Sequence, residues 1–513
     1  AIVMGDYVYI DGGEILQDDD NGDPTDEMPV QDNATISIYL GDSWTPDSIT
    51  PNVMGKAEGV PILKDLVLWG EEDDSAFYMW GGQVSPLPGQ PPIPNTNLWK
   101  FTVDGNGGGS WDVSNPSNAG LFQTFHRPSM GLGTSGSNAG YLLGGYLTPR
   151  SEPQLADESD FVQPIPGIIS YNMTTRVWSN DSAAGYSLYG AGNLGQAVFL
   201  PSYGTDGLLA FMGGYNTGLE TVRFDGTGLV SFDNITFYDP VSKTWYAQKA
   251  TGDSPSPRAG FCAVAVAGQN GTHEIFVYGG RYDGTNEFLD DAYVLTIPGF
   301  NWFKIDYPSA QGRMSHSCHL VGKRQMLVIG GDDGELDTNR DHITNGLGIL
   351  DMTEMAWTSG YDANAAEYES PQIVQDWYNQ GGQDAVQWTS SDVEVLFASN
   401  STGNSNNTSD ASDPDSEDSG LNVGAIVGGV VGGVFGLLIV AGIIFWLVVR
   451  HRKKHNAPEK LALMGGPPPG VVYAQSPGIL SELPDSSDRP PQELPPTNEV
   501  RKPRKPNDVY ELH

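Results

Sequence analysis

The chain has 513 residues, with 26 Lys and Arg against 64 Asp and Glu, and a formal net charge of −38 at pH 7. The residues before 450 hold 56 of the acidic and 16 of the basic residues, so their net charge is −40. Such a field repels nucleic acids and anionic lipid, so nucleic-acid binding is not expected. Solubility is its simplest consequence, and attraction of cations or basic partners is another.

A long-period repeat covers the first 360 residues. Six times an apolar run ends in Gly-Gly, and a tryptophan follows 22 to 33 residues later. The tryptophans are 55 to 67 residues apart, and further β-type runs fill each interval, so each unit predicts about four short strands. Residues 1–360 are therefore predicted to form an all-β propeller of six blades. The pairs and their tryptophans are Gly12-Gly13 with Trp44, Gly81-Gly82 with Trp111, Gly144-Gly145 with Trp178, Gly213-Gly214 with Trp245, Gly279-Gly280 with Trp302, and Gly330-Gly331 with Trp357.

The repeat resembles the kelch motif, in which a strand ends in Gly-Gly and a Tyr and a Trp follow. Two residues without Cβ let neighbouring blades approach closely and let the chain leave the strand at unusual φ. The units exceed the usual kelch length of about 50 residues, so the excess must lie in loops. The "YIDGG" opening and the layout of the tail also make the chain similar to membrane-anchored kelch or galactose-oxidase-central-domain proteins of filamentous fungi.

The long connections of such blades emerge on one face, which is therefore the predicted binding face. Arg127, Arg258 and Arg313 recur just before the innermost strands of blades three, five and six. Placed there, their guanidinium groups are predicted to line the channel mouth and hold a carboxylate or sugar hydroxyls. A salt bridge between blades is the alternative. Similar kelch propellers use such arginines for partner binding.

Two acidic loops, residues 18–23 and 332–335, offer the oxygen ligands that Ca²⁺ prefers. Neither has the EF-hand spacing, because Gln17 and Met28 would stand at the first and last ligand positions. Solvated loops are the preferred interpretation. The sequence therefore predicts no metal and no cofactor.

Cys262 and Cys318 are the only cysteines, and both fall in the first strand of adjacent blades. In an oxidising compartment they are predicted to form a disulfide between the last two blades, if their Cα atoms lie within about 7 Å. His316 and His319 flank Cys318, but residues three apart on a strand point to opposite faces. A zinc site is therefore not expected.

After the propeller, residues 361–397 are predicted to hold two helices that close the domain. One opens at Ser370-Pro371, and the other opens at Ser391 with Glu394 completing a capping box. Residues 398–422 are Ser, Asn, Thr, Asp and Gly with almost nothing apolar, which predicts a flexible stalk.

Residues 423–449 carry no charge over 27 positions, more than the roughly 20 needed to cross a bilayer, and predict a single transmembrane helix. The basic residues from Arg450 mark the cytoplasmic side, so residues 1–422 are expected to be extracellular or lumenal. All eight N-x-[ST] sequons precede the span, as glycosylation there would require. They are Asn33, Asn172, Asn180, Asn234, Asn270, Asn400, Asn406 and Asn407.

Three further expectations concern the span, the tail and the start of the chain. A stripe of small residues within the span favours self-association, formed by Gly424, Gly428, Gly432 and Gly436. Residues 450–513 form a Pro-rich tail in which Pro503 and Pro506 make a P-x-x-P, so either a disordered tail or an SH3 or WW ligand is expected. The chain starts without Met in an apolar strand, which indicates a processed form or fragment.

The resulting functional hypothesis is a surface module without catalytic activity that binds a protein or a glycan on the long-loop face. The alternative is a copper oxidase of the galactose oxidase type, because that enzyme has a kelch-type propeller. Its chemistry needs two Tyr and two His with a Tyr–Cys crosslink. Five histidines precede the span, in no recognisable ligand context: His126, His273, His316, His319 and His342.

Overall fold

The structure is a computed structural model that describes most of the chain up to residue 398 and nothing beyond it. The described residues are 1–15, 30–31, 33–86, 91–156, 162–216, 218, 228–282, 287–308, 312–334 and 343–398. None of the helices within these ranges is long and apolar enough to span a membrane. The predicted span at 423–449, its glycine stripe, the stalk after residue 398 and the tail at 450–513 lie outside them.

Six antiparallel sheets of consecutive strands confirm the predicted six-bladed all-β propeller. In chain order their strands are Ile2–Met4, Tyr7–Asp11, Ala34–Tyr39 and Asn52–Gly55 in blade 1; Lys64–Gly70, Ala76–Gln83, Leu98–Val103 and Gly109–Ser114 in blade 2; Leu132–Gly136, Ala139–Leu143, Ile168–Asn172 and Val177–Asp181 in blade 3; Gln196–Leu200, Leu208–Met212, Asn234–Asp239 and Thr244–Lys249 in blade 4; Cys262–Ala267, His273–Tyr278, Ala292–Ile297 and Asn301–Lys304 in blade 5; and Ser317–Val321, Gln325–Ile329, Leu347–Asp351 and Ala356–Thr358 in blade 6.

The blades form a closed ring because the first strand of each blade contacts the first strand of the next, and blade 6 contacts blade 1. Apolar clusters fill the spaces between blades; Leu143 of blade 3, for example, packs in one cluster with Phe211 of blade 4. A fifth strand, Thr251–Gly252, runs parallel to the last strand of blade 5. The hydrophobic core is therefore formed by apolar side chains buried between adjacent blades rather than within a single blade.

The Gly-Gly pairs form the joints between blades. All twelve glycines have positive φ. A Cβ on Gly81 would stand 2.7 Å from the carbonyl oxygen of Pro128 in the lead-in to blade 3, so no larger residue fits there. The N–H of the second glycine donates to a carbonyl in the lead-in to the next blade at five joints: Gly13 to Leu63 at 3.2 Å, Gly82 to Pro128 at 2.8 Å, Gly145 to Gly192 at 2.8 Å, Gly214 to Arg258 at 2.9 Å, and Gly280 to Arg313 at 2.8 Å.

Blade 6 meets blade 1 through a different clasp. Trp44 and Tyr361 exchange backbone hydrogen bonds of 3.0 and 2.8 Å, and the Tyr361 hydroxyl donates to the carbonyl of Leu40 at 2.9 Å. Five of the repeat tryptophans lie in the fourth strands of their blades, but Trp44 lies between the third and fourth strands of blade 1. Its position in the repeat therefore serves ring closure.

The segment after blade 6 contains two α-helices, Gln372–Asn379 and Ser391–Ala398. Val374 of the first helix is buried against blades 5 and 6, and Phe397 of the second lies 5.1 Å from Phe237 of blade 4 between ring centroids. The predicted capping box is one residue out of register, because the hydroxyl of Ser390 accepts the N–H of Val393 at 3.3 Å. The shorter helices are Ala119–Phe122 and the 3-10 turns Pro153–Leu155, Gln269–Gly271, Thr344–Gly346 and Gly382–Ala385.

A buried carboxylate fastens this segment to blade 5. Glu274 accepts hydrogen bonds from the hydroxyls of Tyr368 at 3.2 Å, Ser370 at 3.1 Å and Thr296 at 3.3 Å. Burial raises its pKa, and the hydroxyl donors only partly oppose that effect. Folding therefore favours the protonated form of the Glu274 carboxyl group.

Removing the ring clasp should lower stability sharply. We expect Tyr361→Ala to cost about 3 to 5 kcal/mol of unfolding free energy, because it empties a buried aromatic site. Tyr361→Phe should cost only about 1 kcal/mol, since it loses one hydrogen bond. Chemical denaturation of both variants measures the difference. Equal costs would show that the aromatic ring of Tyr361 is not what closes the propeller.

The Glu274 anchor should make stability depend on pH. Because its folded-state pKa is raised, its contribution is complete below the pKa of the unfolded chain and is lost as pH rises through the folded-state value. We therefore expect the melting temperature of Glu274→Gln, relative to wild type, to be most favourable at neutral pH and to fall toward pH 4. Glu58→Gln, at an exposed position, is the control and should show a flat difference.

Candidate functional site

One face of the propeller carries the connections from second to third strand and from fourth strand to the next blade; we call it the loop face. Among the described residues, two-stranded ribbons shape three of the connections from second to third strand. The ribbons pair Glu14–Ile15 with Val30–Gln31, Tyr146–Leu147 with Gln163–Pro164, and Arg281–Tyr282 with Glu287–Phe288.

Among the described residues of this face, the most exposed large apolar side chains are Leu188 and Tyr189. They stand at the tip of residues 182–192, which lead from blade 3 to blade 4, and are 83% and 51% exposed. The Ser187 hydroxyl closes the loop beneath them, donating to the carbonyl of Ala191 at 3.1 Å and accepting its N–H at 3.1 Å. The carbonyl of Gly190 also accepts the N–H of Gly167 at 2.8 Å. A fixed stem therefore presents two apolar side chains to solvent.

Other exposed apolar side chains share the loop face. Ile15, Val162 and Tyr282, from three different blades, are 37, 38 and 43% exposed. Sequence reasoning missed Leu188 and Tyr189, because the connections it selected were the long ones within blades. The available signal was two adjacent large apolar residues inside a run of Gly, Ala and Ser.

The three predicted arginines are buried, with at most 2% of their surface exposed. Arg258 donates to the carbonyl of Gly279 at 3.1 Å and forms an ion pair with Asp291, while Arg313 donates to the carbonyl of Gly330 at 2.6 Å. Their own carbonyls accept the N–H groups of Gly214 and Gly280 in the preceding blades. Both arginines thus link the glycine pairs of two consecutive blades.

Arg127 is also held internally. Its guanidinium donates to the carbonyl of Ser151, and its N–H donates to Glu152 at 2.7 Å. Burial lowers the pKa of Arg127 to about 10, although Glu152 opposes the effect. The ion pair of Arg258 with Asp291 lies within blade 5 rather than between blades. Ligand binding by the three arginines stays a prediction.

The structure joins Cys262 and Cys318 in a disulfide across blades 5 and 6, with Cα atoms 5.6 Å apart. A nitrogen of His316 lies within 4.8 Å of both sulfurs. Burial, reinforced by the charge of Arg313, lowers the pKa of His316 to about 3, so its ring is neutral. Within the described ranges this is the only group of three or more His, Cys, Asp and Glu side chains close enough to share an ion. His319 is not part of it.

The other predicted sites are dispersed. Asn33, Asn180 and Asn234 are exposed, and Asn172 is half-buried and accepts the N–H of Thr175 at 2.8 Å. Asn270 lies in a 3-10 turn, and Asn400, Asn406 and Asn407 are outside the described residues. Of the acidic loops, residues 18–23 are also outside, and Asp332 accepts the N–H of Gly334 at 2.7 Å. Glycosylation stays a prediction.

Loss of the Arg258 link should destabilise the propeller. Burial opposes ionisation of Asp291, but the hydrogen bonds and charge of Arg258 outweigh it and hold the pKa of Asp291 low. We expect Arg258→Ala to cost about 3 to 5 kcal/mol, because a carboxylate and a carbonyl lose their buried partner. Lys323→Ala, which breaks an exposed pair with Glu367, should cost at most about 1 kcal/mol. If Arg258→Ala leaves the free energy of unfolding unchanged, this arginine is not required for stability, and a ligand-binding role is favoured instead.

Comparison with known proteins matches residues 206–402 to the KLHDC2/KLHL20/DRC7 Kelch-repeats domain. A kelch repeat-containing protein of Arthroderma benhamiae is 25% identical over 406 residues, which cover 71% of this chain and 56% of that protein. Acyl-CoA-binding domain-containing protein 4 of Arabidopsis thaliana is 25% identical over 31% of this chain and 23% of its own length. The flagellar outer-arm dynein alpha chain of Chlamydomonas reinhardtii is 25% identical over 32% of this chain and 3% of its own length.

The chain therefore spans about half of the Arthroderma relative and smaller parts of the other two. The family match lies on blades 4 to 6 and the helical segment, while the same Gly-Gly joints continue through blades 1 to 3. Residues 1–398 thus contain a six-bladed β-propeller, and its second half is similar to a kelch-repeats domain.

Proposed function

We propose that this propeller is a protein-interaction module that binds its partner on the loop face, with Leu188 and Tyr189 as anchors. The observation that carries the proposal is the exposed apolar pair on a hydrogen-bonded stem. Exposure of large, rigidly held apolar side chains to water is unfavourable in the unbound domain and is typical of binding surfaces.

A protein partner fits this surface better than a glycan. A tyrosine stacks on sugars and proteins alike, but an aliphatic side chain that is 83% exposed gains mainly by entering an apolar pocket. The acidic character of the chain favours a partner whose rim is basic, because complementary charge speeds association.

The sequence supports placing the module at a membrane surface as part of the same proposal. Residues 423–449 would anchor it, the glycine stripe would pair two copies, and the Pro-rich tail would engage an SH3 or WW domain. No observation favours the copper oxidase alternative. Of the histidines the structure describes, His126 pairs with Glu152, His273 packs against Tyr203 and His316 lies beside the disulfide.

The test compares partner binding by loop-face and control variants. Leu188→Asp with Tyr189→Ala should weaken the complex at least about 30-fold, because truncation of an anchor costs about 2 kcal/mol or more. Val241→Asp is the matched control; Val241 is 56% exposed in the turn between the third and fourth strands of blade 4, on the opposite face. Partners are captured on immobilised protein, identified by mass spectrometry and titrated by calorimetry.

A partner kept by wild type and Val241→Asp but lost by the double variant supports the proposal. Equal capture by all three proteins would contradict it. Binding only to glycans, abolished by glycosidase treatment of the captured material, would replace the protein partner with a carbohydrate one.

A further inference from the structure

The disulfide between blades 5 and 6 has a third chemical group beside it. Cys262 and Cys318 stand on the innermost strands of their blades, and His316 directly precedes the second of these strands. All three residues are at least nine-tenths buried, and one ligand atom from each lies within 4.8 Å of the others. Two sulfurs and an imidazole nitrogen in one buried cluster form a donor set for a soft or borderline metal ion.

The hydrogen bonding of His316 leaves a nitrogen available. Its Nε2 lies 3.2 Å from the carbonyl oxygen of Tyr278, and only a protonated nitrogen can donate to that oxygen. Nδ1 then carries the lone pair; it is buried and has no partner at good hydrogen-bond geometry, although the backbone of Met314 lies close enough to the ring to act on its pKa. Metal-binding histidines commonly donate their other N–H to a backbone carbonyl in this way, which fixes the tautomer and the ring.

We propose that the reduced form of this protein binds one thiophilic divalent ion, such as Zn²⁺, through Cys262, Cys318 and His316. In the oxidised form the same cysteines link the two blades through their disulfide. The site would therefore exchange a covalent link between blades 5 and 6 for a coordinate one, according to the redox state of its surroundings.

The exchange balances chemically. A dithiol reductant supplies two electrons and two protons to the disulfide and is itself oxidised to a disulfide, leaving two thiols. Zn²⁺ then displaces both thiol protons, so the ion and two thiolates are together neutral, which suits a buried site. Zn–S bonds of about 2.3 Å in tetrahedral geometry place the sulfurs roughly 3.7 Å apart. The 5.6 Å Cα separation can be kept while the side chains rotate apart.

Co²⁺ is the probe, because thiolate coordination gives it a charge-transfer absorption band. The full chain is produced under reducing conditions, freed of reductant without oxygen and titrated with Co²⁺. One equivalent should bind and produce the band, and Zn²⁺ should abolish it by displacement. The affinity of His316→Asn should drop more than about 100-fold, since loss of even a supporting hydrogen bond costs a metal site about 10- to 100-fold.

Two controls separate ligation from folding. His319→Ala removes a half-buried histidine three residues further along and should keep the band, whereas the Cys262→Ser and Cys318→Ser double variant should lack it. A folded reduced protein without the band, or His316→Asn with unchanged affinity, would overturn the proposal. If the reduced chain folds only when Zn²⁺ is added, the site is supported. If the reduced chain folds neither with nor without Zn²⁺, no reduced site exists.

Discussion

The structure depends on one repeated interaction, the hydrogen bond from the second glycine of a pair to a carbonyl of the next blade, which forms at five joints. The carbonyl ends a lead-in segment, so the bond fixes where the following blade begins. At Gly82, Gly145, Gly214 and Gly280 a Cβ would lie within 3.0 Å of neighbouring atoms, so positive φ and this close approach together require glycine there. Apolar residues of adjacent blades then fill the space between the sheets, and five copies of this joint set the blades in sequence around the ring.

Departures from this joint show what each blade adds. Arg258 and Arg313 reinforce it in the second half of the ring, where their side chains and carbonyls serve two glycine pairs at once. Blades 5 and 6 add the disulfide. The meeting of blades 6 and 1 relies on Trp44 and Tyr361 instead, and the helical segment covers blades 4 to 6 from outside through Glu274 and Phe397.

A ring so constrained frees its connections to vary, and binding is expected there. The loop that carries Leu188 and Tyr189 illustrates the division: Gly190 and Ser187 hold its stem, while its tip makes no contribution to the core. The cysteine and histidine cluster belongs instead to the scaffold. Changes there would act through the contact between blades 5 and 6 rather than through the face that meets a partner.

The sequence alone determined the blade number, because periodic glycine pairs and tryptophans report local strand and joint geometry that each repeat encodes for itself. It also predicted the pairing of Cys262 with Cys318, which the structure contains. Tertiary structure alone decided the rest. It directs the guanidinium groups of the three arginines to acceptors inside the propeller, and it places His316 rather than His319 beside the sulfurs. It also leaves Leu188 and Tyr189 exposed to solvent. The physical reason is that burial and side-chain partners arise from blades distant in sequence, whose juxtaposition no local pattern specifies.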